Sequence, residues 1–237
     1  MQQTLAIPSH RILIVCGHYG VGKTNFSLNL ARDRAQLGRK VTIVDLDIVN
    51  PYFRSSDYLA EMDSFGVNVV APVLANTSLD TPSLSASVQA VLEQAACDEE
   101  TFVIVDVGGD DVGATALGRF RPAIEAAGYD FVYVVNAYRN MTSTPEEAYE
   151  ILQEIEARCL LKATALVANS HLKQLTTAQT VLNALPFARA CATLCQLPLW
   201  LVCVPNNLLN EHEADSIERE CGENVYPVST IVKTPWE

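Results

Sequence analysis

One glycine-rich stretch carries the residue types that bind phosphate. Residues 17–24 read Gly-His-Tyr-Gly-Val-Gly-Lys-Thr and match the P-loop pattern G-x-x-x-x-G-K-[ST]. Its glycines allow a tight turn whose backbone N–H groups approach an anion closely. Lys23 supplies a cation for the β- and γ-phosphates, and the Thr24 hydroxyl is a ligand for Mg²⁺. We expect the nucleotide site to include Gly17, His18, Tyr19, Gly20, Val21, Gly22, Lys23, Thr24 and Asn25.

The segments around this stretch have the structure that a P-loop needs. Residues 11–16 form a short apolar run rich in β-branched side chains, which predicts a buried strand. After the loop, Phe26, Leu30 and Leu37 recur at helical spacing, so a helix is predicted to begin near Lys23. The alternative is a glycine-rich structural turn with an ordinary surface lysine. The strand and helix favour binding of a nucleoside triphosphate.

Acidic residues follow the second predicted strand. Residues 40–45 form this strand, and Asp45 and Asp47 stand at its end. Beside a nucleotide, one carboxylate can hold Mg²⁺ through water while the other orients an attacking water. The alternative is a solvated acidic loop.

A second acidic strand end lies further along the chain. Asp106 ends an apolar run, as a Walker-B aspartate does, and would bind the Mg²⁺ shell. We expect Thr24, Asp45 and Asp106 to be the metal-binding residues. Gly109, three residues after Asp106, could offer its N–H to the γ-phosphate, and such a contact makes a loop responsive to hydrolysis.

Strands and helices alternate along the chain, and the strands are continuously apolar, which is typical of a parallel sheet covered on both faces. We therefore predict one three-layer α/β/α P-loop NTPase domain over residues 1–237, with a mainly parallel sheet of about seven strands. The predicted strands are 11–16, 40–45, 67–71, 101–106, 130–135, 163–168 and 199–204. Two predicted helices begin near Lys23 and Ser83, and five more span 55–65, 114–127, 144–159, 176–195 and 211–220. A break is predicted at Pro122 and a kink at Pro186. A polar loop is predicted over 72–82, and the C-terminal residues 234–237 are expected to be irregular.

Composition limits the partners and the compartment. The net charge of −12 argues against a nucleic-acid or anionic-membrane surface, because both need basic patches. The seven cysteines form no C-x-x-C pair and predict buried, reduced thiols, with a metal pair at Cys191 and Cys195 as the alternative. Neither a signal peptide nor a membrane span is evident, so we expect a soluble cytoplasmic protein.

Three motifs in this order resemble the MinD/ParA/CobQ-type P-loop NTPases of the SIMIBI class. They are Gly-x4-Gly-Lys-Thr, the Asp-x-Asp strand end and Asp-x-Gly-Gly. The runs 45–54 and 106–120 are most similar to bacterial ATP-binding proteins of that superfamily. The resemblance implies that Lys23 and Asp47 are catalytic, with Asp47 orienting the hydrolytic water. It also implies that Asn169 reads the purine and that Pro205 begins a loop that packs on the base. From the residues alone, Asn169 is equally a polar strand-end residue.

The chain departs from that family directly after the first P-loop glycine. MinD and ParA carry a second lysine there that reaches the partner's phosphate across a dimer, whereas this chain has His18. Histidine is shorter and mostly neutral at pH 7, so a nucleotide-sandwich homodimer is left open. Arg54, Arg119 and Arg139 are candidates to supply the charge, with a surface or structural role as the alternative.

The identity of the base and the reaction follow from weaker signals. A guanine-reading N-K-x-D loop would need a lysine after Asn169 and an acid two residues further on, and this chain has neither. ATP with Mg²⁺ is therefore expected, in a slow ATPase that acts as a nucleotide-driven switch on a protein partner. The alternatives are a small-molecule kinase or amidoligase-like synthase, a GTPase metallochaperone, and a non-catalytic nucleotide-dependent interaction module.

Overall fold

A parallel sheet organises the molecule. The computed structural model describes residues 9–47, 55–71, 81–109, 111–209, 213–222 and 224–232, and in helices at 81–85 and 213–216 it describes the backbone alone. The strands pair in the order β3-β2-β4-β1-β5-β6-β7-β8, and every pair is parallel. They are β1 (Ile12–Cys16), β2 (Lys40–Leu46), β3 (Asn68–Val70), β4 (Thr101–Val107), β5 (Tyr129–Val135), β6 (Ala165–Ala168), β7 (Leu199–Pro205) and β8 (Val225–Val228).

Helices connect these strands. They are α1 (Lys23–Gln36), α2 (Leu59–Ser64), α3 (Thr81–Cys97), α4 (Asp111–Gly118), α5 (Arg121–Ala127), α6 (Pro145–Cys159), α7 (Ala178–Cys195) and α8 (Glu213–Cys221). Capping boxes at Thr144 and Thr177 begin α6 and α7, because each threonine side chain accepts a hydrogen bond from the N–H three residues on.

The core lies on both faces of the central strand. All five residues of β1 are buried. Ile12 and Ile14 belong to one hydrophobic cluster, and Leu13 and Val15 belong to another. This alternation follows from the two-residue period of a strand and gives three layers, with the sheet between two layers of helices. The predicted parallel α/β P-loop NTPase fold is confirmed.

The sheet has one strand more than the sequence predicted. Residues 225–228 read Val-Tyr-Pro-Val and pair with β7 at the end of the sheet. A proline argues against a central strand but is tolerated at an edge, where its missing N–H breaks no ladder. Pro227 is exposed while the other three residues of β8 are buried.

Some predicted helix limits were wrong. The break predicted at Pro122 in the helix over 114–127 is confirmed, because α4 ends at Gly118 and α5 begins at Arg121 with Pro122 in its first turn, but α4 begins at Asp111 rather than at residue 114. The helix that was expected to begin at Ser83 begins at Thr81. Of the loop predicted before it, residues 72–80 lie outside the described residues, as do the C-terminal residues 233–237. Pro186 lies inside α7, which the structure assigns as one helix.

Candidate nucleotide-binding site

A cavity of about 320 Å³ opens beside the P-loop, at the carboxyl edge of the sheet. The loops after β5, β6, β7 and β8 form its other walls. Its lining residues are Tyr19, Gly20, Gly22, Lys23, Thr24, Asn25, Asp47, Arg139, Asn169, His171, Lys173, Gln174, Thr176, Cys203, Pro205, Val228, Ser229, Thr230 and Val232. The structure thus brings together predicted residues from the P-loop, from the segment after β2 and from the ends of β6 and β7.

The P-loop backbone is shaped by its glycines. Gly20 and Gly22 have φ values of 75° and 89°, in the left-handed region that other residues rarely adopt. A Cβ atom on Gly22 would also overlap the side-chain amide of Asn169. Helix α1 begins directly after Gly22, which as a glycine offers no capping side chain. The first N–H groups of α1 therefore have no side-chain cap, and N–H groups at a helix N-terminus favour the binding of an anion.

Lys23 is the first residue of α1, and its side chain folds back onto the P-loop. Only 7% of its surface is exposed, and its Nζ donates to the backbone oxygen of His18 over 3.1 Å. A buried ammonium group that bonds to its own loop is held where phosphate oxygens would lie. Gly17, His18 and Val21 belong to the same loop but do not line the cavity.

Two buried carboxylates lie next to this lysine on neighbouring strands. Asp45 of β2 is directly paired in register with Asp106 of β4. Asp45 accepts hydrogen bonds from the backbone N–H groups of Asp47 (2.9 Å) and Ser56 (3.0 Å). Asp106 accepts from the hydroxyls of Ser55 (2.6 Å) and Ser27 (3.4 Å).

The burial of these acids changes their ionisation. Burial and the neighbouring charge of Asp45 raise the pKa of Asp106 to about 6. Burial likewise raises the pKa of Asp45. The Thr24 hydroxyl is also hydrogen-bonded to Asp106. Two desolvated carboxylates beside a hydroxyl are a suitable environment for a divalent cation, which would offset their repulsion.

This set of ligands fits Mg²⁺ better than a metal that needs a full protein cage. Among the described residues, no three or more His, Cys, Asp or Glu side chains form a group that could hold a metal. Magnesium is commonly bound by one or two carboxylates together with water and the phosphates of a substrate. Thr24, Asp45 and Asp106 would hold it here.

The loop after β4 lies against the P-loop. A Cβ atom on Gly109 would stand 2.6 Å from the backbone nitrogen of Tyr19 and 3.0 Å from Nζ of Lys23. A Cβ atom on Gly108 would stand 3.2 Å from a carboxylate oxygen of Asp47. These positions admit glycine because it has no side chain. The Asp-x-Gly-Gly loop is therefore in contact with both the phosphate lysine and the acid expected to orient water.

Residues that the sequence predicts to contact the base also line the cavity. Asn169 lines the cavity, and its amide donates to the backbone oxygen of Val21 over 2.8 Å. Pro205 also lines it, whereas Asn206 turns away and donates to the hydroxyl of Ser229 over 2.7 Å. Asn169 thus links the end of β6 to the P-loop.

A segment after β8 completes this wall, and the sequence analysis missed it. Asn25, expected at the nucleotide, lines the cavity, but its side-chain oxygen accepts from the N–H groups of Ile231 (2.9 Å) and Val232 (3.1 Å). Its amide donates to the oxygen of Ser229 over 3.0 Å. Buried Asn29, one turn on, both donates to and accepts from the backbone of Ser229 at 2.9 Å. The Asn-x-x-x-Asn spacing in α1 is the sequence signal that could have indicated this link.

Two further cavity residues lie beside the P-loop glycines, and of these Arg139 was a candidate from the sequence to supply positive charge, whereas His171 was not assigned to the site. His171 lies close to Gly22, and burial together with the charge of Arg139 lowers its pKa to about 4. Its ring is therefore neutral at pH 7. Arg139 lies beside Gly20, where its Cζ would be 3.3 Å from a Cβ atom. Of the other two candidate arginines, Arg119 is exposed and does not line the cavity, and Arg54 lies outside the described residues.

The environment of His18 disfavours the charged form of its ring. Its side chain is partly buried, and burial and the charge of Lys23 lower its pKa. Its Nδ1 atom is buried without a hydrogen-bond partner in the described part of the chain. His18 is therefore uncharged at pH 7 in this structure.

The cysteines bear on the alternative prediction of a metal pair at Cys191 and Cys195. None of the seven cysteines, all of which lie in the described residues, forms a disulfide. Burial raises the pKa of Cys191 to about 12 and that of Cys195 to about 11, which disfavours the thiolate form that metals bind.

None of the helices in the described ranges has the length and apolar character that crossing a membrane requires.

Solved structures that share this fold include signal-recognition proteins. FtsY from Mycoplasma mycoides is 18% identical with a TM-score of 0.56, over 82% of this chain and 60% of that chain. FtsY from Elizabethkingia anophelis, in complex with GDP, is 18% identical with a TM-score of 0.52, over 84% and 58%. The Signal Recognition Particle 54 kDa protein from Aeropyrum pernix, also with GDP, is 16% identical with a TM-score of 0.53, over 85% and 43%. The chain therefore spans less than two thirds of each of these proteins.

The sequence comparison identifies the family. No curated protein sequence shows a significant match. Residues 12–228, from β1 to the end of β8, match the CobQ/CobB/MinD/ParA nucleotide binding domain. This match, the P-loop geometry and the fold lead to one conclusion: the chain belongs to the CobQ/CobB/MinD/ParA nucleotide binding domain family of SIMIBI-class P-loop NTPases.

Proposed function

We propose that the protein binds ATP with Mg²⁺ and hydrolyses it slowly, and that hydrolysis switches the conformation of the loop that carries Gly109. The observation that carries this proposal is the close approach of Gly109 to Tyr19 and Lys23. A loop in contact with the phosphate lysine would respond to the presence or loss of a γ-phosphate. We also propose that residues 1–237 act as one nucleotide-binding domain.

The residues at the phosphate end have the chemistry that hydrolysis needs. Lys23 would neutralise charge on the β- and γ-phosphates, and Mg²⁺ held by Thr24, Asp45 and Asp106 would share that charge. Asp47 lines the cavity and lies beside Gly108, so its carboxylate would orient a water molecule for in-line attack. Turnover is expected to be slow without a partner, since no arginine or second lysine lies within the P-loop itself.

ATP is preferred over GTP in this proposal because of the residues after β6. Asn169 is followed by Ser-His-Leu, which lacks the lysine and the acid of a guanine-reading N-K-x-D loop. Two of the structurally similar proteins were solved with GDP, so GTP is the competitor that the experiment must include.

The proposed partners follow from the same site. The protein would work in the cytoplasm on a protein partner whose binding depends on the nucleotide state. A homodimer across the nucleotide remains part of the proposal, with uncharged His18 at the position where relatives of the MinD and ParA type carry a lysine. The acidic net charge of −12 disfavours DNA and anionic membranes as partners.

Calorimetry and phosphate release test the proposal together. Titration of the protein with ATP and with GTP, with and without Mg²⁺, should show binding that favours ATP and requires the metal. Asp47→Ala should abolish phosphate release and leave ATP binding intact, whereas Lys23→Ala should abolish both. The proposal fails if neither nucleotide binds, or if Asp47→Ala hydrolyses ATP normally. Release of ADP only when a small-molecule acceptor is added would instead indicate a transferase.

A further inference from the structure

We propose that Arg139 is a phosphate-binding residue of the nucleotide site, supplied by the same chain from the loop between β5 and α6. The inference rests on the proposed function, because it assumes that a nucleotide occupies the cavity beside the P-loop. It adds a positively charged side chain that belongs neither to the P-loop nor to the strand ends that carry Asp45 and Asp106.

The position of Arg139 supports this role. It lines the cavity together with P-loop residues Gly20 and Lys23. Its guanidinium lies against Gly20, with Cζ, Nε and Nη1 at 3.3, 3.4 and 3.6 Å from the place of a Cβ atom there. Any other residue at position 20 would therefore crowd the guanidinium. The second glycine of the P-loop makes room for this side chain as well as for its own turn.

The backbone that presents Arg139 is firmly held. Buried Asn136 accepts from the N–H of Tyr138 over 3.0 Å and donates to the backbone oxygen of His171 over 3.4 Å. The N–H of Ala137 donates to the hydroxyl of Ser170 over 3.0 Å. The hydroxyl of Tyr138 donates to the backbone oxygen of Thr180 over 2.7 Å. These bonds attach the β5–α6 loop to the loop after β6 and to α7, which fixes the residue from which the arginine extends.

Within the described residues, the side chain of Arg139 makes no hydrogen bond or salt bridge to an acid. The Nε of Arg139 is buried and has no hydrogen-bond partner, and in the described part of the chain its guanidinium joins no salt bridge. A buried donor without a partner is costly, and a guanidinium matches phosphate oxygens in geometry and charge. A rigid backbone that carries an unpaired cation into a cavity lined by Lys23 and the first turn of α1 is suited to an anionic ligand.

Binding measurements with a charge-neutral variant test the inference. Arg139→Gln keeps most of the side-chain volume and removes the charge. We expect it to weaken ATP binding about tenfold or more, as loss of a charge-assisted hydrogen bond does. Arg119→Gln is the matched control, because Arg119 is exposed outside the cavity, and its ATP affinity should stay within about twofold of wild type.

Two further measurements separate a phosphate contact from a base contact. Competition against a fluorescent ATP analogue should show that Arg139→Gln weakens inorganic tripolyphosphate and leaves adenosine unchanged. A crystal structure of the wild-type protein with an ATP analogue and Mg²⁺ should place the guanidinium within hydrogen-bonding distance of a phosphate oxygen.

The outcomes distinguish the failure of this inference from that of the proposed function. Absence of ATP and GTP binding by the wild-type protein would remove the function and the inference together. Wild-type binding with equal affinity in Arg139→Gln would overturn the inference alone. So would a selective loss of adenosine binding, or a guanidinium far from every phosphate oxygen in the crystal structure.

Discussion

Asp45 and Asp106 are paired side by side in register on two neighbouring strands, and both carboxylates are buried. The charges of Asp45 and Lys23 both act on Asp106, so buried groups of both signs meet here. Such a pair is costly in the folded protein unless a proton or a cation offsets the charge.

The first prediction concerns this cost. The pKa of Asp106 is raised to about 6, above its value in the unfolded chain, so the ionised carboxylate destabilises the fold as pH rises through about 6. Asp106→Asn should therefore raise the free energy of unfolding at pH 7.5 without Mg²⁺, by about 1–3 kcal/mol. The same variant should weaken Mg²⁺-dependent ATP binding at least about tenfold. Urea denaturation and calorimetry check the two effects, and a less stable variant that still binds Mg²⁺–ATP normally would contradict both.

The second prediction concerns the contact between the two loops. In Gly109→Ala the new Cβ would meet backbone atoms of Tyr19 at 2.6 and 2.8 Å, so the loop must move away from the P-loop. We expect single-turnover ATP hydrolysis to fall about tenfold or more, since small displacements of catalytic groups have large effects on rate. ATP affinity should change little because the P-loop remains intact.

Gly118→Ala is the control for this experiment. Its Cβ would approach the backbone of Arg158 at 3.1 Å, at the end of α4 and outside the cavity lining. It should affect stability more than hydrolysis. A Gly109→Ala variant that hydrolyses ATP at the wild-type rate would show that loop contact and chemistry are independent.

The third prediction concerns the link between α1 and the segment after β8. Asn29 is fully buried, and its side chain makes two hydrogen bonds with Ser229 and one with the backbone oxygen of Asn25. Asn29→Ala leaves partly buried backbone groups without partners and should lower the free energy of unfolding by about 1–3 kcal/mol. It should also weaken nucleotide binding, because Ser229 lines the cavity. Asn183→Ala, on an exposed helix surface, should change stability by less than about 0.5 kcal/mol in the same denaturation experiment.

The fourth prediction uses the ionisation of His171. Burial and the charge of Arg139 lower its pKa to about 4 in the folded protein, and its Nδ1 accepts a hydrogen bond from the N–H of Lys173. The unfolded chain therefore takes up the proton first, so the folded state loses stability as pH falls from about 6.5 to about 4. His171→Gln should lack this loss, which we expect to be about 1–3 kcal/mol.

The free energies of unfolding of wild type and His171→Gln are measured by denaturation between pH 7 and pH 4. The difference between the two proteins gives the contribution of His171, because the other titrating groups contribute equally to both. Equal slopes for wild type and His171→Gln would contradict the assignment. In Arg139→Gln the pKa of His171, followed by NMR, should rise, because the neighbouring positive charge has been removed.

Local patterns were sufficient to predict the phosphate end of the site. The P-loop, the acids at the ends of β2 and β4 and the glycine of the β4–α4 loop each follow an apolar run, so a strand end and its chemistry could be read together. The order of the sheet then brings Asp45 next to Asp106, although 60 residues separate the two positions in the chain.

The cavity walls that other loops contribute could not be predicted in this way. Arg139 and His171 lie on different loops, and their proximity depends on the pairing of β5 with β6. Strand β8 was missed because it is short and contains Pro227. The segment from Ser229 to Val232 has no motif of its own, and its place is set by hydrogen bonds to asparagines about 200 positions earlier in the chain.

The position of β8 has a consequence for biosynthesis. The strand that leads into the P-loop is central and is synthesised before the wall formed by Val228, Ser229, Thr230 and Val232. A nascent chain that ends after β7 would have a phosphate loop but an open base pocket, and α1 would lack the partner of its two asparagines. Ligand capture would then wait until β8 has joined the sheet, so that chains lacking β8 would not compete for the cellular nucleotide pool.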